Sequence, residues 1–142
     1  DVDFVILGPD EGLKEEVKRL IGGEKRIHLL GPLQDRKDVV EMYQAADVFT
    51  LPSYREGLPL TLFEAMAAGL PMVVCPVNGV SYEIEDGKNG LFVEYGDVEA
   101  LAEKISYLLD NNGVASEMSK VNQERAKAYD WDLIFKRTEA LY

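Results

Sequence analysis

The sequence has 142 residues, 46% of them hydrophobic and 29% charged, the composition of one ordinary globular domain with enough chain to bury a core. Its 15 Lys and Arg against 26 Asp and Glu leave a formal net charge of -11, which argues against an extended nucleic-acid surface. The single cysteine, Cys75, excludes a disulfide framework and points to a reducing, cytoplasmic compartment, and no apolar run approaches the length of a membrane span.

Phe4-Val5-Ile6-Leu7 is a short apolar run ending in Gly8-Pro9-Asp10-Glu11-Gly12, which predicts a buried strand and a turn. The turn lacks the G-x-G-x-x-G spacing of a dinucleotide fingerprint. Leu13, Val17, Leu20 and Ile21 then fall on one helical face, and Gly22-Gly23 ends that helix. Ile27 to Leu30 is a second strand stopped by Gly31-Pro32, and Asp38 is the expected cap of a helix carrying Val39, Met42, Tyr43 and Ala46. Val48 to Leu51 is a third strand, closed by Pro52, and Met72 to Cys75 a fourth. Val80 to Glu85 makes at most a helical turn, and Lys88-Asn89-Gly90 turns into a strand at Leu91-Phe92-Val93. Asp97 caps a helix with Val98, Leu101, Ile105, Leu108 and Leu109 on its apolar face, broken at Asn111-Asn112-Gly113. A helix over about 114–129 follows, and Asp132 is the expected cap of a last one with Ile134, Phe135, Thr138 and Leu141 turned inward. Strand then helix, repeated, predicts an α/β domain over residues 1–142: a doubly wound parallel sheet with its site at the carboxyl ends of the strands.

The stretch from Arg55 to Gly69 carries the chemistry. Pro59 suits the first position of a helix, Gly69 a left-handed cap, and Pro71 forbids continuation. Between them Leu60, Leu62, Phe63, Ala65, Met66, Ala67 and Ala68 leave no polar stripe, so the helix is expected in an interior. Glu64 sits in its middle with no cation at helical spacing, and a buried unpaired carboxylate is costly. The economical reading is that Glu64 faces a site and accepts hydrogen bonds from something bound there. The helix start around Leu60 and Thr61 offers free N–H groups and the positive end of the dipole, an anion site. Gly57 permits close backbone approach, and Glu56 adds a second carboxylate. A sugar nucleotide has the complementary parts: ribose hydroxyls, a diphosphate and hexose hydroxyls.

Glu56-x7-Glu64, set in Pro52-Ser53-Tyr54-Arg55-Glu56-Gly57-Leu58-Pro59-Leu60 and followed by Ala65-Met66-Ala67-Ala68-Gly69-Leu70-Pro71, resembles the signature of retaining GT-B glycosyltransferases. Ala46-Asp47-Val48-Phe49 before it, with Asn78-Gly79-Val80 and Asp86-Gly87-Lys88-Asn89-Gly90-Leu91 after it, agree in order. The resemblance covers nearly the whole chain but only the C-terminal, Rossmann-like, nucleotide-sugar-binding half of the family's two-domain architecture. It implies transfer of a hexosyl unit from a nucleoside diphosphate sugar to a hydroxyl acceptor, without metal or cofactor. It implies that Glu64 binds the ribose hydroxyls, while Glu56 binds a hexose hydroxyl and supports positive charge at the anomeric carbon. The backbone near Leu58, Leu60 and Thr61 receives hexose and phosphate oxygens, Pro59 offers contact only, and Gly31 to Leu33 matches the segment that holds the base. In the family this half opens with a strand and a Gly-Arg-x4-Lys-Gly loop that grips the diphosphate, and a partner domain supplies the acceptor site and a catalytic His. The chain opens at Asp1, beyond that loop, so the expectation is a fragment lacking a central first strand, inactive alone and weak for donor.

Several residues read two ways. Gly31 and Leu33 serve as base contacts or as a plain turn, Arg55 as a phosphate contact or a solvated loop charge, and Asn78-Gly79-Val80 as cleft wall or loop. Arg36-Lys37 is equally plain surface charge. His28, the only histidine, reads as a strand-face residue, Asp47 and Ser53 as strand and turn ends, and Trp131 and Tyr142 as packing residues. No His, Cys or carboxylate cluster has metal-ligand spacing. A non-catalytic sugar-nucleotide-binding module is the alternative, and an epimerase or phosphorylase of the same fold fits less well. Many enzymes of the resembled family act on lipid carriers, so peripheral membrane association stays open beside the cytoplasmic expectation.

Overall fold

The computed structural model describes residues 2–140, and the chain divides into two compact units, Asp1–Met42 and Tyr43–Tyr142. In the first, β1 (Phe4–Leu7) runs parallel to β2 (Ile27–Gly31), with α1 (Lys14–Ile21) between them in sequence. The turn before α1 forms because the Asp10 carboxylate accepts the Gly12 and Lys14 amides at 2.8 and 3.1 Å, which also holds its carboxyl below the usual range. Within this unit the strand expected to be buried is not: Phe4, Val5 and Leu7 are exposed, as are Leu13 at the N-cap of α1 and Leu20 within it. Pairing with β2 covers only an edge of β1, and within this unit too few packed helices are present to cover both faces of the strand. His28 is a strand-face residue whose Nε2 lies 2.7 Å from Asp3 Oδ1, and that hydrogen bond lowers the Asp3 carboxyl. α2 (Arg36–Ala45) starts earlier than the sequence suggests, because Asp35, not Asp38, accepts the Lys37 amide at 2.8 Å.

The second unit holds β3 (Phe49–Leu51), α3 (Leu60–Ala68), β4 (Met72–Val74) and β5 (Leu91–Phe92), the strands ordered β3-β4-β5 and all parallel. α4 (Val98–Asp110), α5 (Asn112–Ala126), a short 3-10 helix (Lys127–Tyr129) and α6 (Trp131–Glu139) follow. The alternation of a strand explains the core. Met72 and Val74 join Leu62, Ala65, Met66, Val80 and Ile84 in one buried cluster, while Val73 and Cys75 join Val93, Leu108 and Met118 in the other. β4 is thus apolar at every position because both faces are covered, and burial pushes the Cys75 thiol up. The chain is built of parallel β-sheets flanked by helices, in a Rossmann-like arrangement.

A polar pair not foreseen from the sequence fixes α5. Asn122, fully buried, donates from Nδ2 to the carbonyls of Leu70 (2.8 Å) and Asn89 (2.9 Å), and its Oδ1 accepts from Asn89 Nδ2 at 2.9 Å. Asn89 in turn donates to the Glu83 carbonyl (3.1 Å) and accepts the Glu85 amide (2.8 Å). The turn before β5 and the end of α3 are therefore tied to one helix by groups that water cannot reach. Asn122→Ala leaves these partners unsatisfied and is expected to destabilise the chain by about 2 kcal/mol in chemical denaturation. A loss below about 0.5 kcal/mol would show the pair to be dispensable.

Three further expectations are corrected. α5 starts at Asn112, so the break after α4 is a single residue rather than a loop. The cap of α6 is Asp130, whose carboxylate takes the Asp132 and Leu133 amides, and Asp132 lies in the first turn. Val98, Trp131 and Phe135 are exposed rather than packed. Leu141 and Tyr142 lie outside the described residues.

Candidate functional site

The segment after β3 and the segment after β4 meet over the carboxyl end of the sheet. Tyr54, Arg55, Glu56, Gly57, Pro76, Val77 and Asn78 line a concavity of about 740 Å³ there. Gly79 explains how the two segments come so close. Its φ is +81°, and a Cβ on it would lie 1.7 Å from the Gly57 carbonyl oxygen, so only a bare backbone fits. Of the lining residues Arg55 alone is cationic, and it makes no ion pair among the described residues. Glu56 is half-buried on this wall, and Gly57 is exposed beside it.

α3 begins immediately after. Pro59 is buried at its N-cap with no capping side chain, which leaves the Leu60 and Thr61 amides without intrahelical partners. Gly69 at φ +78° closes the helix, its amide donating back to the Ala65 and Met66 carbonyls. The expectation that α3 is interior on every side is overturned. Leu62, Ala65 and Met66 are buried, but Leu60, Thr61, Glu64 and Ala67 form an exposed stripe. Glu64 is therefore not a buried charge, and the desolvation argument for it falls away. What holds it is Tyr43, a half-buried residue whose hydroxyl donates to Glu64 Oε2 at 3.0 Å. Burial first, then that carboxylate, raises the Tyr43 phenol well above its ordinary value.

Of the residues singled out from sequence, Glu56 and Gly57 line the concavity; Leu58, Leu60, Thr61 and Glu64 are exposed along the loop and the open stripe of α3, and Pro59 is buried. Arg55 and Asn78, read two ways above, are both on the wall. Gly31, at φ +73°, and Leu33 belong to the first unit, at and just after the end of β2. Sequence reasoning missed an aromatic pair. Tyr54, on the wall, packs against Tyr95 with ring centroids 5.1 Å apart at 60°. Each stands three residues past the end of its strand, β3 or β5, a signal that strand boundaries alone contain.

The profile of the family described as glycosyl transferases group 1 matches residues 1–111. An N,N'-diacetylbacillosaminyl-diphospho-undecaprenol alpha-1,3-N-acetylgalactosaminyltransferase of Campylobacter jejuni is 36% identical over 116 residues, 82% of this chain. A D-inositol 3-phosphate glycosyltransferase of Corynebacterium diphtheriae is 32% identical over 127 residues, 89% of this chain. The chain spans about 30% of the length of each of these relatives. Among solved structures, a sucrose-phosphate synthase from Thermosynechococcus elongatus superposes with a TM-score of 0.87 at 28% identity, covering 97% of this chain and 37% of that one.

Proposed function

The chain belongs to the group 1 glycosyltransferases, with a GT-B-type fold, and from that premise we propose that residues 1–142 are the donor-binding domain of a two-domain, retaining enzyme. The enzyme transfers a hexosyl unit from a nucleoside diphosphate sugar to a hydroxyl acceptor. One observation carries the reading. Glu56 and Gly57 sit on the wall of a concavity beside the uncapped start of α3, and the exposed stripe of that helix leads to Glu64.

In this reading the free amides of Leu60 and Thr61, with the helix dipole, hold the diphosphate and stabilise it as it departs. An acidic chain needs such local donors, since its net charge of -11 repels the ligand. Glu64, already oriented by Tyr43, accepts the ribose hydroxyls. Glu56 accepts a hexose hydroxyl and lies where positive charge develops at the anomeric carbon, and the Leu58 amide meets a sugar or phosphate oxygen. For Gly31 and Leu33, which belong to the first unit, the resemblance of their segment to the family's base-binding one is what supports main-chain contacts to the base. Positioning the donor this way removes the orientational cost of the step, and the acceptor attacks from the face the diphosphate leaves. No metal is required, because the diphosphate charge is met by backbone and dipole. The name of the Campylobacter relative carries a diphospho-undecaprenol, a long apolar isoprenoid, which supports a place peripheral to a membrane for this chain too, while the support for a cytoplasmic one is its single cysteine.

A panel of UDP-, GDP- and ADP-hexoses titrated against the chain tests the reading. One of them is expected to bind, weakly and in the millimolar range, and to raise the melting temperature as it saturates. No binding by any of the three would contradict the reading. Glu56→Ala tests the catalytic role of that carboxylate. In the enzyme that carries this domain it is expected to lower kcat about a hundredfold with little change in donor affinity. An unchanged rate would remove Glu56 from the mechanism.

A further inference from the structure

Tyr54 and Tyr95 are 74% and 62% exposed, yet they pack on one another rather than standing apart. Their placement is set by topology. β4 lies between β3 and β5, so the segments following β3 and β5 flank the one following β4, and the tyrosines come from the two flanks. Tyr54 is on the cavity wall with Arg55, Glu56 and Asn78, whereas Tyr95 is not among the lining residues and supports Tyr54 from outside. An aromatic ring paired this way presents a rigid apolar surface at low conformational cost. Beside it stand a carboxylate, an amide and a guanidinium, all able to meet hydroxyl groups.

A pyranose has this dual character: apolar C–H faces and a rim of hydroxyls. The geometry points to Tyr54, braced by Tyr95, as an aromatic wall on which a pyranose ring stacks while Glu56 and Asn78 take its hydroxyls. The inference rests on the nucleotide-sugar reading and adds the residue that selects for a sugar ring at the cavity. The ring comes from the donor's hexosyl group or from a sugar on the acceptor, and the chemistry of the contact is the same for both. A nucleobase is a different ligand, since its ring would bind with or without the hexose.

The test compares wild type, Tyr54→Ala, Tyr54→Phe and Tyr95→Ala by NMR titration. The probes are the nucleoside diphosphate hexose selected by the panel, the same free nucleoside diphosphate, and a methyl hexopyranoside. Tyr54→Ala is expected to weaken one of the two sugar probes about tenfold while the free diphosphate binds as before. Loss on the nucleotide hexose assigns the wall to the donor, and loss on the methyl glycoside assigns it to the acceptor. Tyr54→Phe keeps the ring and should restore binding to within about twofold, and Tyr95→Ala should weaken it less than Tyr54→Ala does. Unchanged affinity for both sugars in Tyr54→Ala overturns the wall, as does an equal loss on the free diphosphate. Failure of the wild-type chain to bind any nucleotide instead overturns the nucleotide-sugar reading itself.

Discussion

Glu64→Ala is expected to weaken donor binding by about a hundredfold or more while the chain stays folded. The affinity loss follows from chemistry: an ionised carboxylate accepting two ribose hydroxyls makes two charge-assisted bonds, each contributing about 1.5–3 kcal/mol. The small effect on stability follows from geometry. Glu64 is exposed on α3, and its one described partner is the Tyr43 hydroxyl at 3.0 Å. Removing that acceptor costs about 1 kcal/mol, since the phenol is only half-buried and partly reaches water. Glu64→Gln keeps an acceptor for both Tyr43 and the ribose but loses the charge, so an intermediate loss of about tenfold is expected. Titration of each variant, with a thermal melt beside it, separates the two effects. Wild-type affinity in Glu64→Ala would remove the ribose role.

Gly79→Ala is expected to destabilise the chain by about 3 kcal/mol and to disturb the wall with it. Two terms add. At φ +81° an alanine sits in a region that costs an L-residue about 1–2 kcal/mol. Its Cβ, 1.7 Å from the Gly57 carbonyl oxygen, also cannot be accommodated by a side-chain rotation, because the obstacle is backbone. One of the two segments must move, and Gly57 directly follows Glu56. Donor affinity and turnover are therefore expected to fall together with stability in this variant, whereas Glu64→Ala lowers binding alone. Gly57→Ala is the control. Nothing lies within 4 Å of a Cβ there, so its steric cost is small. A Gly79→Ala chain with wild-type melting would mean that the two segments do not need the close approach.

β1 to β4 were legible because each is a short, largely apolar run cut off by Gly or Pro, and β5 followed from the Gly90 turn before it; β4 is apolar throughout for the reason its two-sided core shows. α3 was legible at both ends, where Pro59 and Gly69 act through backbone geometry alone. Its open face was not. With almost no polar contrast among nine residues, the sequence carries no periodicity from which to tell the Leu60, Glu64, Ala67 stripe from the Leu62, Ala65, Met66 one. The caps of α2 and α6 were misplaced because each has two acids within three positions, Asp35 and Asp38 or Asp130 and Asp132, and either type suits a cap or a first turn. Asn89 and Asn122 were invisible for a different reason. They are 33 positions apart, and an asparagine in a turn or helix carries no mark of a buried partner. At the site, Glu56 and Gly57 stood out by motif, whereas the Tyr54–Tyr95 contact depends on the order of strands in the sheet.

The most direct measurement is amide and side-chain chemical-shift mapping of the chain as a nucleoside diphosphate hexose is titrated in. The account predicts that the Leu60 and Thr61 amides and the Glu64 side chain shift together, with one midpoint, and that Glu56 and Gly57 move only when the hexose is attached to the diphosphate. A ligand that shifts residues elsewhere and leaves the first turn of α3 and Glu64 unmoved would contradict it.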